Sequence, residues 1–178
     1  MRKELAELFP ELDFIQDEQL RGKVLDIWEE AMQRGGWTVD DLAEIPFTLL
    51  IPNTDVTLVQ HTRAVTQVAL ESARVLQQQY GNIYEIDFDA LVAGGLLHDV
   101  GKLLEYKREG EAFVKSDTGR LLRHPFSGAG LATKHGLSDK IVHIIATHAK
   151  EGDGGYRCPE SVIVHHADFM NFEPLKML

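Results

Sequence analysis

The segment from Phe88 to Asp99 constrains the fold more than any other part of the chain. Its residues, Phe-Asp-Ala-Leu-Val-Ala-Gly-Gly-Leu-Leu-His-Asp, are apolar nearly all round a helix, and such a helix has to be buried by its neighbours. Gly94 and Gly95 each weaken a helix by about 1 kcal/mol relative to alanine, so they indicate that another helix packs closely there. The sequence therefore predicts a central helix that ends in a polar pair, His98 and Asp99.

Helical periodicity recurs on both sides of this segment. After Asp17, a residue suited to capping a helix, apolar residues recur at helical spacing as far as Gly35. Positions 61, 65, 68, 72 and 75 are spaced 4, 3, 4 and 3 apart and share one helical face. Further helices are expected over about 125–135, about 138–149 and after Pro159, whereas residues 103–117 favour a hairpin or lid. The predicted fold is all-α, a bundle of about seven helices with a small β-hairpin insert near 103–117.

Length and charge bound the domain organisation. The chain has 178 residues, 44% hydrophobic and 26% charged, which is typical of one domain with its own core. The formal net charge is −10, and residues 1–45 carry twelve acidic and five basic residues. We expect one domain over residues 1–178, in which residues 1–50 form an acidic helical extension packed on a core of about 55–172. Negative charge of this kind repels polyphosphate backbones, so we expect no binding to duplex nucleic acid.

Nothing in the sequence predicts a membrane segment. No run approaches the roughly 18 uninterrupted apolar residues of a spanning helix, and the N-terminus lacks the apolar stretch of a signal peptide. Cys158 is the only cysteine, so no disulfide can form within the chain, which is typical of a reducing compartment. We expect a cytoplasmic protein without a membrane partner, and a homo-oligomer is left open.

The histidines form the most informative chemical pattern. All eight lie after residue 60, and several stand beside carboxylates at the ends of apolar helices. Imidazole and carboxylate together make a ligand set for divalent metals such as manganese, iron, zinc or cobalt. The candidates are separated by 37, 26, 24 and 20 residues, and each gap fits a helix with its connection. We therefore expect the following side chains to reach an ion from successive helices: His61, His98 with Asp99, His124, His148 and Asp168.

One motif within this set resembles a known family. The segment Leu-Leu-His98-Asp99-Val-Gly-Lys102 resembles the signature of the HD superfamily of metal-dependent phosphohydrolases. His61 in His-Thr-Arg-Ala-Val and Asp168 in His-His-Ala-Asp match the upstream and distal ligands of that superfamily in order. The resemblance covers about residues 57–170, and it implies an HD-domain helical bundle as the core.

Two further histidines, His124 and His148, are similar to the extra ligands of the binuclear HD branch. The resemblance implies one or two divalent ions, of Mn, Fe, Ni, Co, Mg or Zn. It also implies that Asp99 bridges them, with His124 and His148 at one ion and, at the other, His61, His98 and Asp168. The implied activity is hydrolysis of a phosphate monoester or phosphodiester by metal-activated water.

Asp99 and Lys102 are the residues that we expect to take part in catalysis. Lys102 lies about one helical turn after the His-Asp pair, so its ammonium can reach a phosphate beside the metal. Arg123 is a second candidate for substrate binding. His165 shares a helix face with Asp168, so it is a candidate to touch substrate or to orient a ligand, with placement in the core as an equal alternative.

Simpler interpretations cover several other residues. The basic residues of 107–123 are explained equally well as an ordinary solvated surface. His135 precedes a glycine at a helix end, where a cap is the better account, and Glu105 is expected at a helix end or in solvent. His143 lies about 140° around its helix from His148, which disfavours a shared metal.

The substrate and two other functions stay open at this point. Residues 115–124, Lys-Ser-Asp-Thr-Gly-Arg-Leu-Leu-Arg-His, resemble the corresponding stretch of HD-type oligonucleotide exonucleases. We expect a small phosphorylated substrate, a nucleotide or a short oligonucleotide. One alternative is a mixed-valent di-iron HD oxygenase acting on a small molecule, because its six-ligand set is similar. The other is a catalytically inactive HD module with a sensory or partner-binding role, for which the acidic segment 1–45 is available.

Overall fold

The computed structural model describes residues 2–52 and 54–177. The helices of this part of the chain are α1 (Arg2–Leu8), α2 (Glu18–Gly35), α3 (Leu58–Tyr80), α4 (Phe88–Leu97), α5 (Lys102–Glu105), α6 (Asp117–Leu121), α7 (His124–Lys134), α8 (Asp139–Thr147) and α9 (Pro159–Lys176). Two strands, β1 (Tyr106–Glu109) and β2 (Ala112–Lys115), lie between α5 and α6. Short 3-10 turns occupy Pro10–Phe14, Asp40–Ala43 and Lys150–Gly152. Of the nine described α-helices, α5 and α6 have four and five residues, which leaves seven longer ones and confirms the predicted all-α bundle.

Helix α4 is the centre of the bundle, as its composition predicts. Every residue from Ala90 to Leu97 is buried, and α4 packs against α2, α3, α8 and α9. A Cβ added at Gly94 would lie 2.6 Å from Cγ2 of Ile144 in α8, and one at Gly95 would lie 2.9 Å from Oγ1 of Thr66 in α3. The two glycines therefore let α3 and α8 approach α4 from different sides, which confirms the expectation of close packing.

Helix α3 begins at a capping box that places His61 one turn into the helix. The Thr57 hydroxyl accepts the backbone N–H of Gln60, and the Gln60 side chain accepts the N–H of Thr57. The expected apolar stripe starts on the buried face but leaves it, since Val75 is 58% exposed. A spacing of 3.5 residues drifts around a straight helix of 3.6 residues per turn, and the buried face passes instead through Ala69 and Ala73.

The N-terminal residues pack on the same central helix. Trp28 of α2 donates its indole N–H to the carbonyl oxygen of Leu96, 3.1 Å away. The backbone N–H groups of Gln16 and Asp17 donate to the carboxylate of Asp89 at the start of α4. The division of the chain into an extension and an HD core stays a prediction.

No helix among the described residues is long and apolar enough to cross a membrane.

The hairpin predicted near 103–117 is present. β1 and β2 pair antiparallel, with Tyr106 opposite Lys115 and Glu109 opposite Ala112. Gly110 supplies the positive φ of 62° that the tight turn between them requires. Because the hairpin doubles back, Lys115 returns to the level of Glu105, where the chain left the bundle.

Candidate metal centre

Five helices bring the six candidate ligands to one point in the bundle. His98 follows the last residue of α4 and is followed in turn by Asp99, while His148 follows the last residue of α8. His124 is the first residue of α7. The remaining two side chains come from within α3 and α9 and are His61 and Asp168. The histidines and Asp99 are buried, and the Asp168 side chain is 16% exposed.

The first group consists of His61, His98 and Asp99, with Asp168 beside it. The Nε2 atoms of His61 and His98 are 3.5 Å apart, and they lie 3.4 and 3.3 Å from Oδ2 of Asp99. Oδ1 of Asp168 lies 3.0 Å from Nε2 of His61. One ligand atom from each of the first three residues falls within 4.8 Å of the others, a spacing that can hold a metal ion.

The second group uses the other oxygen of the same aspartate. Oδ1 of Asp99 lies 3.2 Å from Nε2 of His124 and 3.7 Å from Nε2 of His148. These three residues also offer ligand atoms within 4.8 Å of one another. Asp99 thus presents Oδ2 to one pair of imidazoles and Oδ1 to another, so that this one carboxylate lies between the two groups.

Hydrogen bonds orient three of the imidazoles. Nδ1 of His98 donates to the carbonyl oxygen of Gly95, and Nδ1 of His148 donates to that of Ile145, both at 2.7 Å. Nδ1 of His124 lies 2.8 Å from the Glu105 carboxylate. With the proton on Nδ1, each Nε2 turns a lone pair toward Asp99, as a metal ligand does.

His148 supplies the test of whether this centre suits a cation. Its Nε2 atom is buried and has no hydrogen-bond partner among the described residues. A buried polar atom of this kind costs free energy unless it is satisfied, and a lone pair facing a carboxylate is satisfied by a positive ion. The donor set of imidazoles and carboxylates therefore fits a divalent metal.

The protonation states also suit metal binding. Burial raises the pKa of the Asp168 carboxyl, but the hydrogen bond with His61 and the nearby His98 and His148 rings together outweigh burial and lower that pKa to about 2. Burial acts against the charge of Asp99 too, yet the Lys102 ammonium together with His98 and His148 holds its pKa well below the ordinary value. Burial lowers the pKa of His124 to about 4. Near neutral pH these carboxylates are ionised and His124 is neutral, the forms that bind metal.

A cavity of about 320 Å³ opens onto the centre. Four candidate ligands contribute to its lining, namely His61, Asp99, His124 and Asp168. The apolar part of the lining consists of Phe47, Leu49, Leu50, Phe169 and Phe172. The charged part includes Lys115, Arg123 and Lys150 together with Glu105 and Glu151. The cavity thus joins the candidate ligands to aromatic side chains and to charged side chains of both signs.

Of the three residues predicted to bind substrate, two line the cavity and one does not. Lys102 lines the cavity, but its ammonium is directed at Asp99 Oδ2 and at the carbonyl oxygen of Phe47, each 2.5 Å away. Arg123 also lines the cavity. His165 is not among the residues that line it within the described part of the chain, and its Nδ1 donates to the carbonyl oxygen of His148 at 2.6 Å. Of its predicted roles, this contact favours orienting a ligand.

Glu105 is the functional candidate that sequence reasoning missed. It lies at a helix end, as expected, because it is the last residue of α5. It is not in solvent, however, since it is only 3% exposed and its carboxylate accepts both the backbone N–H and the Nδ1–H of His124. No periodicity marks it, because all four residues of α5 are buried. The sequence signal that could have identified Glu105 is the predicted hairpin. A hairpin that begins after Glu105 brings Lys115 back to this carboxylate, and the observed distance is 3.5 Å.

The fold and this centre define a class, a helical domain that gathers imidazoles and carboxylates from several helices for metal binding. The HD domain family matches residues 58–170, well over half of the chain. The chain belongs to the HD domain family. The positions of His98 and Asp99 within that match confirm the resemblance carried by the sequence motif.

Two kinds of curated relatives are similar to this chain. The dihydroneopterin 2',3'-cyclic phosphate phosphodiesterase of Methanocaldococcus jannaschii is 32% identical over 162 residues, which are 86% of this chain and 63% of that protein. The ribonuclease Y of Pseudothermotoga lettingae is 37% identical over 86 residues, 48% of this chain and 14% of the relative. The chain therefore spans less than two thirds of the length of these relatives. No solved structure matches the chain significantly.

Proposed function

We propose that this protein is a metal-dependent phosphohydrolase that cleaves a phosphate monoester or phosphodiester through metal-activated water. The observation that carries the proposal is the position of Asp99 in the lining of the cavity, with one carboxylate oxygen turned to each histidine pair. Membership of the HD domain family and the phosphodiesterase relative support the same reaction class.

The six ligands divide between two ions in this proposal. His61, His98 and Asp168 hold the first, His124 and His148 hold the second, and Asp99 contributes to both. When bound, divalent ions would lower the pKa of a water molecule and neutralise charge on the phosphoryl oxygens. The chain's own contribution is to keep Asp99 and Asp168 ionised, His124 neutral and the site enclosed.

Lys102 has a double role in the proposed site. Two of its three N–H groups are occupied by Asp99 Oδ2 and the Phe47 carbonyl oxygen. The third is available to a phosphate oxygen in the cavity that Lys102 lines. Lys102 thereby orients the bridging carboxylate and also adds positive charge beside the phosphoryl group as its charge builds.

The walls of the cavity favour a small phosphate ester that carries a planar ring, such as a nucleotide. A volume of about 320 Å³ is within the range of small-molecule sites. Phe169 and Phe172, both half-buried, offer ring faces for stacking, and Arg123 and Lys115 offer charge to an anion. A heteroaromatic cyclic phosphate, as named for the Methanocaldococcus relative, has these same parts. We therefore place a mononucleotide-sized phosphodiester ahead of a short oligonucleotide.

The test combines metal analysis with a substrate screen. The purified protein is assayed for bound metal, then for phosphate-ester cleavage of nucleoside 2',3'-cyclic phosphates, nucleoside monophosphates and short oligonucleotides with Mn²⁺, Mg²⁺, Ni²⁺, Co²⁺, Zn²⁺ or Fe²⁺ under anaerobic conditions. We expect metal-stimulated cleavage that Asp99→Asn abolishes. Turnover that requires iron and oxygen would establish the oxygenase alternative instead. Metal binding without cleavage of any phosphate ester would contradict the proposed reaction.

A further inference from the structure

Glu105 uses its two carboxylate oxygens for different neighbours. Oε2 accepts the backbone N–H of His124 at 2.7 Å and its Nδ1–H at 2.8 Å. Oε1 lies 3.5 Å from Nζ of Lys115 on β2 and 3.5 Å from Nε of Arg123. The Glu105 side chain is almost fully buried. It is therefore held by these contacts and is not free to adopt other positions in solvent.

The double contact with His124 fixes both the start of α7 and the imidazole ring. Arg123 stands at the N-cap position of α7 and makes no side-chain cap, so Glu105 takes over the capping of the first helical N–H. Because a carboxylate only accepts, the proton of a neutral His124 ring has to be on Nδ1. Nε2 is then unprotonated and lies 3.2 Å from Oδ1 of Asp99.

The other ligand group does not depend on Glu105. The His98 ring is oriented by the carbonyl oxygen of Gly95, and His61 faces Asp168. His148, which belongs to the second group, is held by its own backbone contact with Ile145. A change at Glu105 therefore acts on one ligand of one group.

We propose that Glu105 is a positioning residue that sets the tautomer of His124 and thereby the affinity for the second of two metal ions. The proposal rests on the metal centre of the proposed function but not on its reaction. Lys115 and Arg123 hold the other oxygen of the carboxylate, so the base of the hairpin takes part in keeping Glu105 aimed at His124.

The test uses the whole chain with Glu105→Ala, Glu105→Gln and the control Glu109→Gln, which changes an exposed glutamate at the end of the adjoining strand β1. Titration calorimetry of metal-free protein with Mn²⁺ measures both ions. We expect Glu105→Ala to weaken the second ion about 10- to 100-fold, as loss of such a partner does elsewhere, and to leave the first within about twofold. Glu105→Gln retains a carbonyl acceptor, so it recovers part of the affinity, and Glu109→Gln matches the wild type.

A second measurement does not require any metal. Long-range ¹⁵N–¹H spectra of the metal-free protein report which ring nitrogen of His124 is protonated. We expect Nδ1–H in the wild type and a shift toward Nε2–H in Glu105→Ala, with Glu105→Gln closer to the wild type. An unchanged tautomer in Glu105→Ala would overturn the proposal, as would equal weakening of both ions. Failure of the wild type to bind any ion would overturn the proposed function, while the tautomer would still decide the role of Glu105.

Discussion

The ammonium of Lys102 lies 2.5 Å from Oδ2 of Asp99, and both side chains are buried. Asp99 is also the carboxylate that faces both histidine pairs, so the lysine balances a buried negative charge at the middle of the centre. Burial disfavours the charged form of Lys102, but Asp99, together with Tyr106 and Asp168, outweighs burial and raises the pKa of the ammonium. The two charges therefore stabilise each other near neutral pH.

Lys102→Met leaves the Asp99 charge without its partner. We expect the free energy of unfolding of the metal-free protein to fall by about 3 kcal/mol, the scale for breaking a buried ion pair. The loss is smaller with saturating Mn²⁺, because Asp99 then has another cation beside it, while turnover falls about 100-fold. Chemical denaturation with and without Mn²⁺ measures the first effect, and Lys3→Met, at an exposed ion pair, is the control. An equal loss in both conditions would contradict this account.

His98→Ala and Asp99→Asn remove ligands that no neighbour replaces. His98 belongs to the first group, whereas Asp99 belongs to both, so the two variants differ. We expect His98→Ala to lose the first ion and Asp99→Asn to lose both, with turnover abolished in each. Elemental analysis after dialysis gives the stoichiometry. His135→Ala serves as the control, because His135 pairs with Glu30 away from the centre.

Phe172→Ala tests the aromatic part of the cavity lining. Phe172 lines the cavity four residues after Asp168, on the same face of α9. Stacking of a base on an aromatic side chain contributes about 1–3 kcal/mol, so we expect KM for a nucleotide substrate to rise about tenfold. Binding of ribose 5-phosphate, which has no aromatic base to stack, stays unchanged. Met170→Ala, at an exposed position on the same helix, provides the comparison, and an equal effect on both ligands would argue against stacking.

Glu30 carries a pH-dependent contribution to stability. Hydrogen bonds from Lys134 and His135 lower the pKa of its carboxyl from 4.5 to about 2. A depressed folded-state pKa stabilises the protein above the unfolded value and loses that effect as pH falls toward the folded one. We expect Glu30→Gln to cost about 1 kcal/mol at pH 7 and progressively less between pH 4.5 and 2. Denaturation of wild type and variant at several pH values measures this, and a constant difference from pH 5 to 3 would disprove it.

Replacement by alanine is predicted to destabilise the protein at one glycine and to stabilise it at another. A Cβ at Gly101 would lie 2.2 Å from the carbonyl oxygen of His124, a backbone atom that cannot rotate away. We expect Gly101→Ala to destabilise the protein by about 1–3 kcal/mol and to disturb the second ligand group. At Gly130, on the exposed side of α7, nothing lies within 4 Å of such a Cβ, so alanine is expected to stabilise by up to about 1 kcal/mol. Thermal unfolding of both variants distinguishes the signs.

The parts of the fold that could be predicted are those that depend on residue patterns within a single segment of the chain. The apolar run 88–97 predicts a buried helix, and Gly94 and Gly95 predict close neighbours without identifying them as α3 and α8. The spacing of the histidines predicts that they arrive on successive helices, because each gap fits one helix and its connection. The assignment of His61, His98, Asp99, His124, His148 and Asp168 as ligands stays a prediction until metal is measured.

What could not be predicted depends on contacts between distant segments. Glu105 has no sequence neighbour that marks it, and its role arises because α7 starts beside the end of α5. The partner of Lys102 likewise includes the Phe47 carbonyl oxygen, which lies 55 positions earlier in the chain. Such pairings are set by how helices pack, and a helical period carries no information about them.

The backbone itself also acts on the metal centre. His98 and His148 each stand directly after the last residue of a helix, α4 and α8, where the helix dipole places partial negative charge. Two such helix ends, together with the carboxylates, make this point of the bundle electronegative before any ion arrives. A divalent cation there relieves repulsion within the core, so metal loading is expected to raise the melting temperature as well as to enable turnover.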